Sequence, residues 1–384
     1  MDFLETEEHL MLRAAVAKLG AEFGHDYYLE QSRSGAKATE LWRAAGELGF
    51  MGVNLPEQYG GGGQGMTELA IVEEELAAAG CPLLLMVVSP AIAGSVITRF
   101  GDDEQKQRWL PGLASGEDIF AFAITEPDAG SNSHRLSTTA VRDGDEYRLN
   151  GTKYYISGVD EAAAILVVTR TGVDEQTGRG KLSLFVVPTD SPGLRADPID
   201  VQIVSPEKQF TLFFDDVRVP AANLVGTEGD GLRQVFMGLN PERIMGAATA
   251  VGASRYALAK AADYARTRSV WDVPIGTHQG IAHPLAECKI ESDLAALMLQ
   301  KACWLYDHGH DAAEAANMAK YACAEAAIRT LDQAIQTHGG NGMATEYGLA
   351  TLWGAVRLMR TAPVSREMIL NFVASHSLGL PKSY

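Results

Sequence analysis

The chain has 384 residues, of which 46% are hydrophobic and 21% are charged, a composition typical of a soluble globular protein with two or three subdomains. Its formal net charge of −17 argues against nucleic acid as a partner, and no apolar run reaches membrane-spanning length. The acidic N-terminus has no signal-peptide pattern and the four cysteines have no metal-ligand spacing, so we expect a cytoplasmic protein with reduced, buried thiols.

Residues 1–119 are predicted to form an N-terminal helical domain. Apolar residues recur at helical spacing after Thr6, a candidate N-cap, and the amphipathic segment "TELAIVEEELAAAG" ends at Gly80. The intervening segment "YGGGGQG" matches G-x-G-x-x-G, but no strand precedes it and no βαβ unit follows. We interpret it as a loop between helices rather than as a dinucleotide fingerprint.

Residues 120–228 are predicted to form a middle β domain, a small barrel or sandwich. Apolar runs of strand length recur here, and the dipeptides Asp143-Gly144 and Asn150-Gly151 are typical of hairpin turns. Residues 173–181, "VDEQTGRGK", are predicted to form an exposed loop. Residues 123–133, "AITEPDAGSNS", offer hydroxyl and N–H donors after a strand, which suits a polar β-turn or a cradle for a polar cofactor edge.

Residues 229–384 are predicted to form a C-terminal four-helix bundle, because Ala-rich helical patterns cover the ranges 244–268, 280–308, 311–337 and 345–376. The predicted fold class is therefore α+β multidomain, with a β domain between two helical ones. His308 and His310 lack a third ligand at metal spacing, so we predict an exposed loop there and no metal site.

The stretch "LNPERIM" places Glu242 and Arg243 at the mouth of a small, apolar helical run. Asn240 is a candidate N-cap and Pro241 a candidate first helical residue. An acid in this position is explained either by the helix macrodipole or by a function for a buried carboxylate.

Two loops of the C-terminal part carry residues that suit a nucleotide. Residues 336–342, "QTHGGNG", form either a plain helix C-cap or a turn whose N–H groups bind phosphate. Residues 265–279, "ARTRSVWDVPIGTHQ", form either a solvated basic turn or a site for a phosphate beside an adenine.

Four segments in this order resemble the acyl-CoA dehydrogenase family: "TEPDAGSN", "LNGTKYYISG", "LFFDDVRVPAANLVGTEGDG" and "QTHGGNGMATEYGLATLW". The resemblance implies one FAD per subunit, bound across a subunit pair, in a homotetramer that is a dimer of dimers. It also implies oxidation of an acyl-CoA thioester to the trans-2-enoyl-CoA, with an electron-transfer flavoprotein as the acceptor.

The resemblance assigns ligand contacts residue by residue. Ser131 matches the serine that contacts the CoA arm, and Tyr155 replaces the commoner Trp near the flavin ring. The implied FAD contacts are Phe122, Ile124 and Thr125 along the flavin, Tyr155 and Ser157 near its ring, Arg268, Trp271 and Gln279 toward the neighbouring subunit's cofactor, Gln336, Gly339 and Gly340 at the pyrophosphate, and Ser365 just past the catalytic loop.

The position of the catalytic base departs from the commonest family pattern. Many members carry a Glu in a "Y-E-G-T" loop near the C-terminus, but here the loop reads "RTAPVSRE", with Pro363 in the acid's place and Glu367 in the next helix. In a branch that resembles isovaleryl-CoA and long-chain dehydrogenases, the Glu precedes an Arg on an earlier helix. By that match Glu242 is the catalytic base, and Arg243 supports it at the substrate site.

Proline at position 363 also removes a backbone N–H that in the family helps to polarise the thioester carbonyl. Either a neighbouring amide such as Val364 or the flavin ribityl hydroxyl takes over that role. The relocated base favours branched or bulky acyl groups.

Other functions on the same scaffold are an enoyl-CoA reductase, an acyl-CoA oxidase, a flavin monooxygenase or a non-catalytic subunit of a mixed tetramer. The presence of Glu242 argues against the last.

Overall fold

Two of the N-terminal helices begin where a side chain satisfies a free backbone N–H group. Thr6 accepts a hydrogen bond from the His9 N–H (3.2 Å), as predicted, and Asp102 forms a reciprocal capping box with Gln105. The computed structural model describes residues 5–382, the side chains of Phe236 and Met237 excepted. The N-terminal elements are α1 (Glu7–Ser34), α2 (Thr39–Glu47), α3 (Met66–Ala78), α4 (Leu84–Met86), a π-helical segment (Val87–Gly94), α5 (Ser95–Phe100) and α6 (Asp103–Ser115).

The glycine-rich segment after α2 folds back on its own chain. The Gln64 N–H donates to the Val53 carbonyl (3.0 Å), and a Cβ on Gly61 would lie only 2.2 Å from the Leu55 carbonyl oxygen. The glycines are therefore required by close backbone packing, which confirms a loop between helices.

The middle region is a single eight-stranded sheet. Its strands are β1 (Phe120–Ala123), β2 (Thr139–Asp143), β3 (Glu146–Ser157), β4 (Ala164–Val173), β5 (Gly180–Pro188), β6 (Leu194–Ile199), β7 (Gln209–Pro220) and β8 (Leu224–Val225). Their order is β6-β7-β3-β2-β4-β5-β8, and β1 pairs in parallel with β4. The predicted loop after Val173 separates β4 from β5 and is largely exposed.

The two predicted hairpin turns have different outcomes. Asp143-Gly144 does join β2 to β3, since Asp143 pairs with Glu146. The prediction for Asn150-Gly151 is wrong, because these residues lie inside β3 at an irregularity in its pairing with β7. A Cβ on Gly151 would lie 2.6 Å from the Thr138 Cα, so this glycine permits close approach within the sheet rather than a turn.

The C-terminal region contains three long helices rather than four. They are α7 (Gly231–Thr267), α8 (Gln279–Asp307) and α9 (Ala313–His338), and the strands β9 (Ser269–Val270) and β10 (Val273–Pro274) form a hairpin between the first two. In place of the predicted fourth helix over 345–376 there are two short helices, α10 (Trp353–Leu358) and α11 (Arg366–Phe372), with turns between them. Gly348 at φ +67° and Pro363, which has no N–H, interrupt it.

The hydrophobic cores explain how the regions are joined. One core is shared by α1–α3 and α7–α9, so the two helical parts pack against each other, and the two faces of the sheet carry the other two cores. The predicted succession of helices, sheet and helices is confirmed. The four cysteines are buried and form no disulfide. No helix within residues 5–382 is long and apolar enough to cross a bilayer.

Candidate active site

Glu242 lies well inside helix α7, not at its start. The helix begins at Gly231, so the prediction of Asn240 as N-cap and Pro241 as first helical residue is wrong. Pro241 sits within the helix, where it lacks the N–H for one intrahelical hydrogen bond. The helix dipole stabilises acids mainly in the first turn, so it does not explain a carboxylate at this depth.

One face of α7 is open around this carboxylate. Glu242, Gly246 and Thr249 are partly exposed, whereas the residues between them are buried. Residues three and four apart share a helix face, so these three form one stripe. A Cβ on Gly246 would lie 3.4 Å from the Pro363 Cδ, so the loop of residues 361–365 packs against this stripe one turn after Glu242.

Burial raises the pKa of the Glu242 carboxyl to about 7, although the charges of Arg243 and Lys320 act in the opposite direction. A carboxylate with a pKa near neutrality is suited to accept a proton as a general base. No ion pair within 4 Å joins Glu242 to a cation in the described chain. Its oxygens are therefore available to a ligand.

Arg243 is 7% exposed and is held by its own helix. Its Nη1 donates to the Asn240 Oδ1 (3.1 Å), whereas its Nε is buried and has no partner within the described residues. A buried, unpaired guanidinium N–H is costly unless a ligand supplies the acceptor. The structure thus places a positive charge and a free donor next to the candidate base.

Sequence reasoning missed Lys320 on α9. This side chain is 2% exposed, and its Nζ donates to the carbonyl of Val364 in the loop that packs against α7. Its charge also acts on Glu242. The available signal was a single lysine among the alanines of "AANMAKYACAEAA", in a segment where small apolar residues indicate burial.

The loop at residues 361–365 contains no carboxylate, as its sequence requires. Pro363 follows a cis peptide bond, and Glu367 lies on α11 with its side chain exposed, as predicted for a residue of the next helix. The N–H of Val364 makes no hydrogen bond to any group of residues 5–382. Ser365 caps α11 by accepting from the Met368 N–H (3.3 Å), which leaves its hydroxyl hydrogen free to donate elsewhere.

Sequence reasoning also missed a second buried acid, Glu73 of α3, which contacts the α7 stripe at Thr249, two turns after Glu242. Thr249 Oγ1 is 2.9 Å from Glu73 Oε1 and 3.0 Å from the Met245 carbonyl, and Glu73 Oε2 accepts from the Leu83 N–H. Burial raises the pKa of Glu73 to about 8. In the protonated form Glu73 donates to Thr249, which donates to Met245, so each group is satisfied at neutral pH.

The residues predicted to contact the flavin lie together where β1 ends beside β3. Phe122 is buried, while Ile124 and Thr125 are half-buried, and the Tyr154 N–H donates to the Thr125 carbonyl (2.9 Å). Tyr155 is 53% exposed at φ +57°, an unusual conformation for a tyrosine. A strained, exposed ring beside hydroxyl groups offers a stacking surface with polar neighbours.

Ser157 and a buried ion pair hold this patch in place. The Ser157 Oγ donates to Gln209 Oε1 (3.0 Å), and Lys153 Nζ bonds both the Ile124 carbonyl (2.9 Å) and Glu126 Oε1 (2.8 Å). Although burial opposes ionisation, the adjacent Lys153 holds the pKa of Glu126 well below its usual range. Sequence reasoning missed this pair, which anchors the 124–138 loop.

The remaining predicted contacts lie on exposed loops. Ser131 is exposed between β1 and β2, and Trp271 is 82% exposed at φ +51° in the β9–β10 hairpin, flanked by the exposed Arg268 and Gln279. Gln336 lies exposed in the last turn of α9, which ends at Gly339 with φ +60°. Nothing lies within 4 Å of a Cβ built on Gly339 or Gly340, so the backbone there is open to a ligand.

These surfaces fit the chemistry of a flavin dinucleotide. The exposed Tyr155 and the hydroxyls of Thr125 and Ser157 suit a flat, polar-edged ring system, and the open backbone at the glycine pair suits a pyrophosphate. His308 and His310 instead stack on Trp304 at 4.4 and 5.4 Å between ring centroids. No cluster of metal-binding side chains occurs in the part of the chain that the structure describes.

Comparison with known proteins covers almost the whole chain. Family models for the N-terminal, middle and C-terminal domains of acyl-CoA dehydrogenases match residues 6–117, 121–217 and 229–378. Acyl-CoA dehydrogenase FadE12 of Mycobacterium tuberculosis is 61% identical over 384 residues, which cover 100% of this chain and 99% of the relative.

Solved structures are similar over the same length. A glutaryl-coenzyme A dehydrogenase in complex with glutaryl-CoA has a TM-score of 0.93 and 30% identity, covering 100% of this chain and 98% of its own. The FAD complex of PigA has a TM-score of 0.92 and 26% identity, covering 99% of this chain and 100% of its own.

Proposed function

This chain belongs to the acyl-CoA dehydrogenase family, and from that premise we propose that it is an FAD-dependent enzyme that converts an acyl-CoA thioester to the trans-2-enoyl-CoA with Glu242 as the base. The observation that carries this proposal is the pairing of Glu242 with the loop that has lost the usual acid. Gly246, one turn after Glu242 on α7, lies against Pro363, so the candidate base and the loop at residues 361–365 are close together in the fold.

The residues of this chain account for the proton transfer. Glu242 takes the proton from the α carbon of the thioester, and its raised pKa matches this task near neutral pH. Arg243 and Lys320 favour the ionised form that must be present before the proton moves. The unpartnered N–H of Val364 donates to the thioester oxygen in place of the N–H that Pro363 lacks.

The flavin is held by the patch at the end of β1 and by the glycine turn after α9. Phe122, Ile124 and Thr125 line the ring, with Tyr155 and Ser157 beside it. Bound there, FAD would supply the hydride acceptor that oxidation at the β carbon requires. The α7 stripe and the loop at residues 361–365 exclude water from the reacting carbons.

The remaining contacts and the assembly belong to the same proposal. Ser131 contacts the CoA arm, and Arg268, Trp271 and Gln279 reach the cofactor of a neighbouring subunit. Gln336, Gly339 and Gly340 bind the pyrophosphate of an FAD, and Ser365 contacts the cofactor just past the catalytic loop. The 82% exposure of Trp271 supports a partner on that hairpin.

A homotetramer is supported by a second apolar surface. Leu294, Trp353 and Leu370 are exposed in a groove between α8, α9 and α11. A second copy of the chain covers this groove, and light scattering of the purified protein tests the tetramer. An electron-transfer flavoprotein is the proposed acceptor, and fast reoxidation of the reduced protein by oxygen alone would indicate an oxidase instead.

Anaerobic titration of the FAD-loaded protein with a panel of acyl-CoAs tests the function directly. We expect bleaching of the flavin absorbance by at least one member of the panel, with short branched chains included alongside straight ones. Glu242→Gln slows the bleaching by about 10²–10⁴-fold, whereas the matched control Glu367→Gln, which alters an exposed acid of α11, leaves its rate intact. Bleaching of Glu242→Gln at the wild-type rate would contradict the assignment of the base.

A further inference from the structure

Lys320 is a buried cation without an anionic partner in contact. It is 2% exposed, and within residues 5–382 no carboxylate lies within 4 Å of its Nζ. Lysine is seldom buried to this extent unless it is paired or has a task. An apolar side chain of similar size, such as that of methionine, would fill the same space in α9 without the desolvation cost of an ammonium group.

The hydrogen bond of Lys320 ends on the loop that faces the candidate base. Its Nζ donates to the carbonyl of Val364, and this loop packs against Gly246, one turn from Glu242. The N–H of the same residue, Val364, is free to bind a ligand. Lys320 therefore fixes the main chain of the residue that carries the candidate thioester donor.

The charge of Lys320 acts on the same centre. Glu242 is faced by the charges of Arg243 on its own helix and Lys320 on α9. Lys320 in turn is faced by Glu242 and Arg243 of α7, Glu325 of α9 and Glu367 of α11. Burial lowers the pKa of Lys320 to about 8, so the ammonium form is still the major one at neutral pH.

We propose that Lys320 is a positioning residue for the dehydrogenation: it holds Val364 in place for the thioester oxygen and favours the carboxylate form of Glu242. This inference rests on the proposed function. It gives α9 two separate effects on the reaction, one through the hydrogen bond to Val364 and one through charge.

Two substitutions separate these effects. Lys320→Gln retains a donor for the Val364 carbonyl and removes the charge, whereas Lys320→Met removes both. Lys301→Met, on the exposed face of α8, is the matched control. The measurements are the rate of anaerobic flavin reduction as a function of pH and the calorimetric Kd of a β-thia acyl-CoA, which cannot lose a hydride from its β position.

In both Lys320 variants we expect the apparent pKa at which the reduction rate falls on the acid side, the acid limb of the pH–rate profile, to increase by about one unit. The rate at pH 7 is then several-fold lower than in the wild type. The Kd for the β-thia analogue rises about tenfold in Lys320→Met and changes little in Lys320→Gln. The Lys301→Met profile coincides with that of the wild type. If Lys320→Met does not retain FAD, the limb and Kd of Lys320→Gln decide the question.

Unchanged limb and Kd in the Lys320 variants, with normal bleaching of the wild type, would overturn this inference alone and leave Lys320 a purely structural residue. A wild-type protein that no acyl-CoA bleaches would overturn the proposed function and this inference with it.

Discussion

Lys153 and Lys320 are both almost fully buried, and each has a glutamate acting on it, but the two regions use the charges differently. In the sheet, Lys153 contacts Glu126 at 2.8 Å, and that carboxylate also accepts from the Ser137 and Thr138 N–H groups. In the helical region, Lys320 bonds a carbonyl and leaves Glu242 without an ion pair.

The difference separates a structural ion pair from the carboxylate that we propose as the base. A carboxylate whose oxygens are all engaged has a lowered pKa and no free lone pair for a substrate proton, as at Glu126. A carboxylate that is only partly exposed and makes no ion pair has a raised pKa and oxygens free for a ligand, as at Glu242. The candidate site is marked by a carboxylate that is shielded from solvent and has no ion-pair partner. Burial alone does not distinguish it from Glu126.

The largest expected effect comes from exchanging the two glutamates for glutamine. Glu242→Gln removes the base and lowers the rate of flavin reduction by about 10²–10⁴-fold, while the melting temperature stays near that of the wild type. Glu126→Gln instead lowers the melting temperature, because Lys153 loses its counter-charge. Stopped-flow absorbance measures the reduction rate of both variants, and calorimetry measures their melting temperatures. If both variants were as stable as the wild type and lost the same fraction of the rate, the proposed difference between Glu242 and Glu126 would be wrong.

Lys153→Met is expected to destabilise the protein by about 3–5 kcal/mol, because it leaves Glu126 charged and buried. The double variant Lys153→Met/Glu126→Leu recovers much of this loss, since neither charge is then left alone. Denaturant unfolding of the single and double variants measures both values. A double variant as unstable as the single one would show that the loop bonds of Glu126, rather than the ion pair, dominate.

Glu73 extends the comparison to a buried acid without a lysine. Its pKa is raised to about 8 in the fold and is near 4.5 in the unfolded chain, so its stabilising effect is complete below pH 4.5 and is lost as the pH rises through 8. Glu73→Gln mimics the protonated acid. We expect it to stabilise by at most about 1 kcal/mol at pH 5 and by about 4–5 kcal/mol at pH 9.

Thermal unfolding at the two pH values tests the Glu73 prediction, with Glu175→Gln in the exposed β4–β5 loop as the control. Equal stability differences at pH 5 and pH 9 would mean that Glu73 is already ionised in the fold.

The smallest of these effects is the pH dependence of the wild type itself. Because the raised pKa of Glu242 is about 7 and the base acts as the carboxylate, the rate of flavin reduction rises as the pH increases through 7 and then levels off. Below the limb the rate falls about tenfold per pH unit. A rate independent of pH between 5 and 8 would place the pKa of the base outside this range.

Local sequence patterns predicted much of this architecture, and the family resemblance made Glu242 the candidate base, but neither predicted the surroundings of that residue. Asn240 and Pro241 have the residue types of a helix start, yet α7 already begins at Gly231. Packing of α7 in the shared helical core keeps the helix continuous through Pro241, against the local preference for a break there. Asn150-Gly151 has the form of a turn and is used instead where β3 passes close to Thr138.

The buried lysines and Glu73 were missed for a related reason. A lysine or glutamate in a helix or strand is usually solvated, and only the packing of distant segments buries it. Lys320 meets Val364, and Glu73 meets Thr249, across separations that no local pattern encodes. The proximity of the Glu242 stripe to Pro363 was predictable only through family resemblance, because a helix and a loop far apart in the sequence meet there.

Exchange of the α proton is the most direct test of the central claim that Glu242 is the base. A β-thia acyl-CoA bound to the FAD-loaded protein in D₂O has an α proton that a base can remove and no β hydride to lose, so deuterium incorporation followed by NMR reports the base alone. We predict exchange in the wild type and in Glu367→Gln, and none above the solvent rate in Glu242→Gln. Exchange at the wild-type rate in Glu242→Gln would contradict the account.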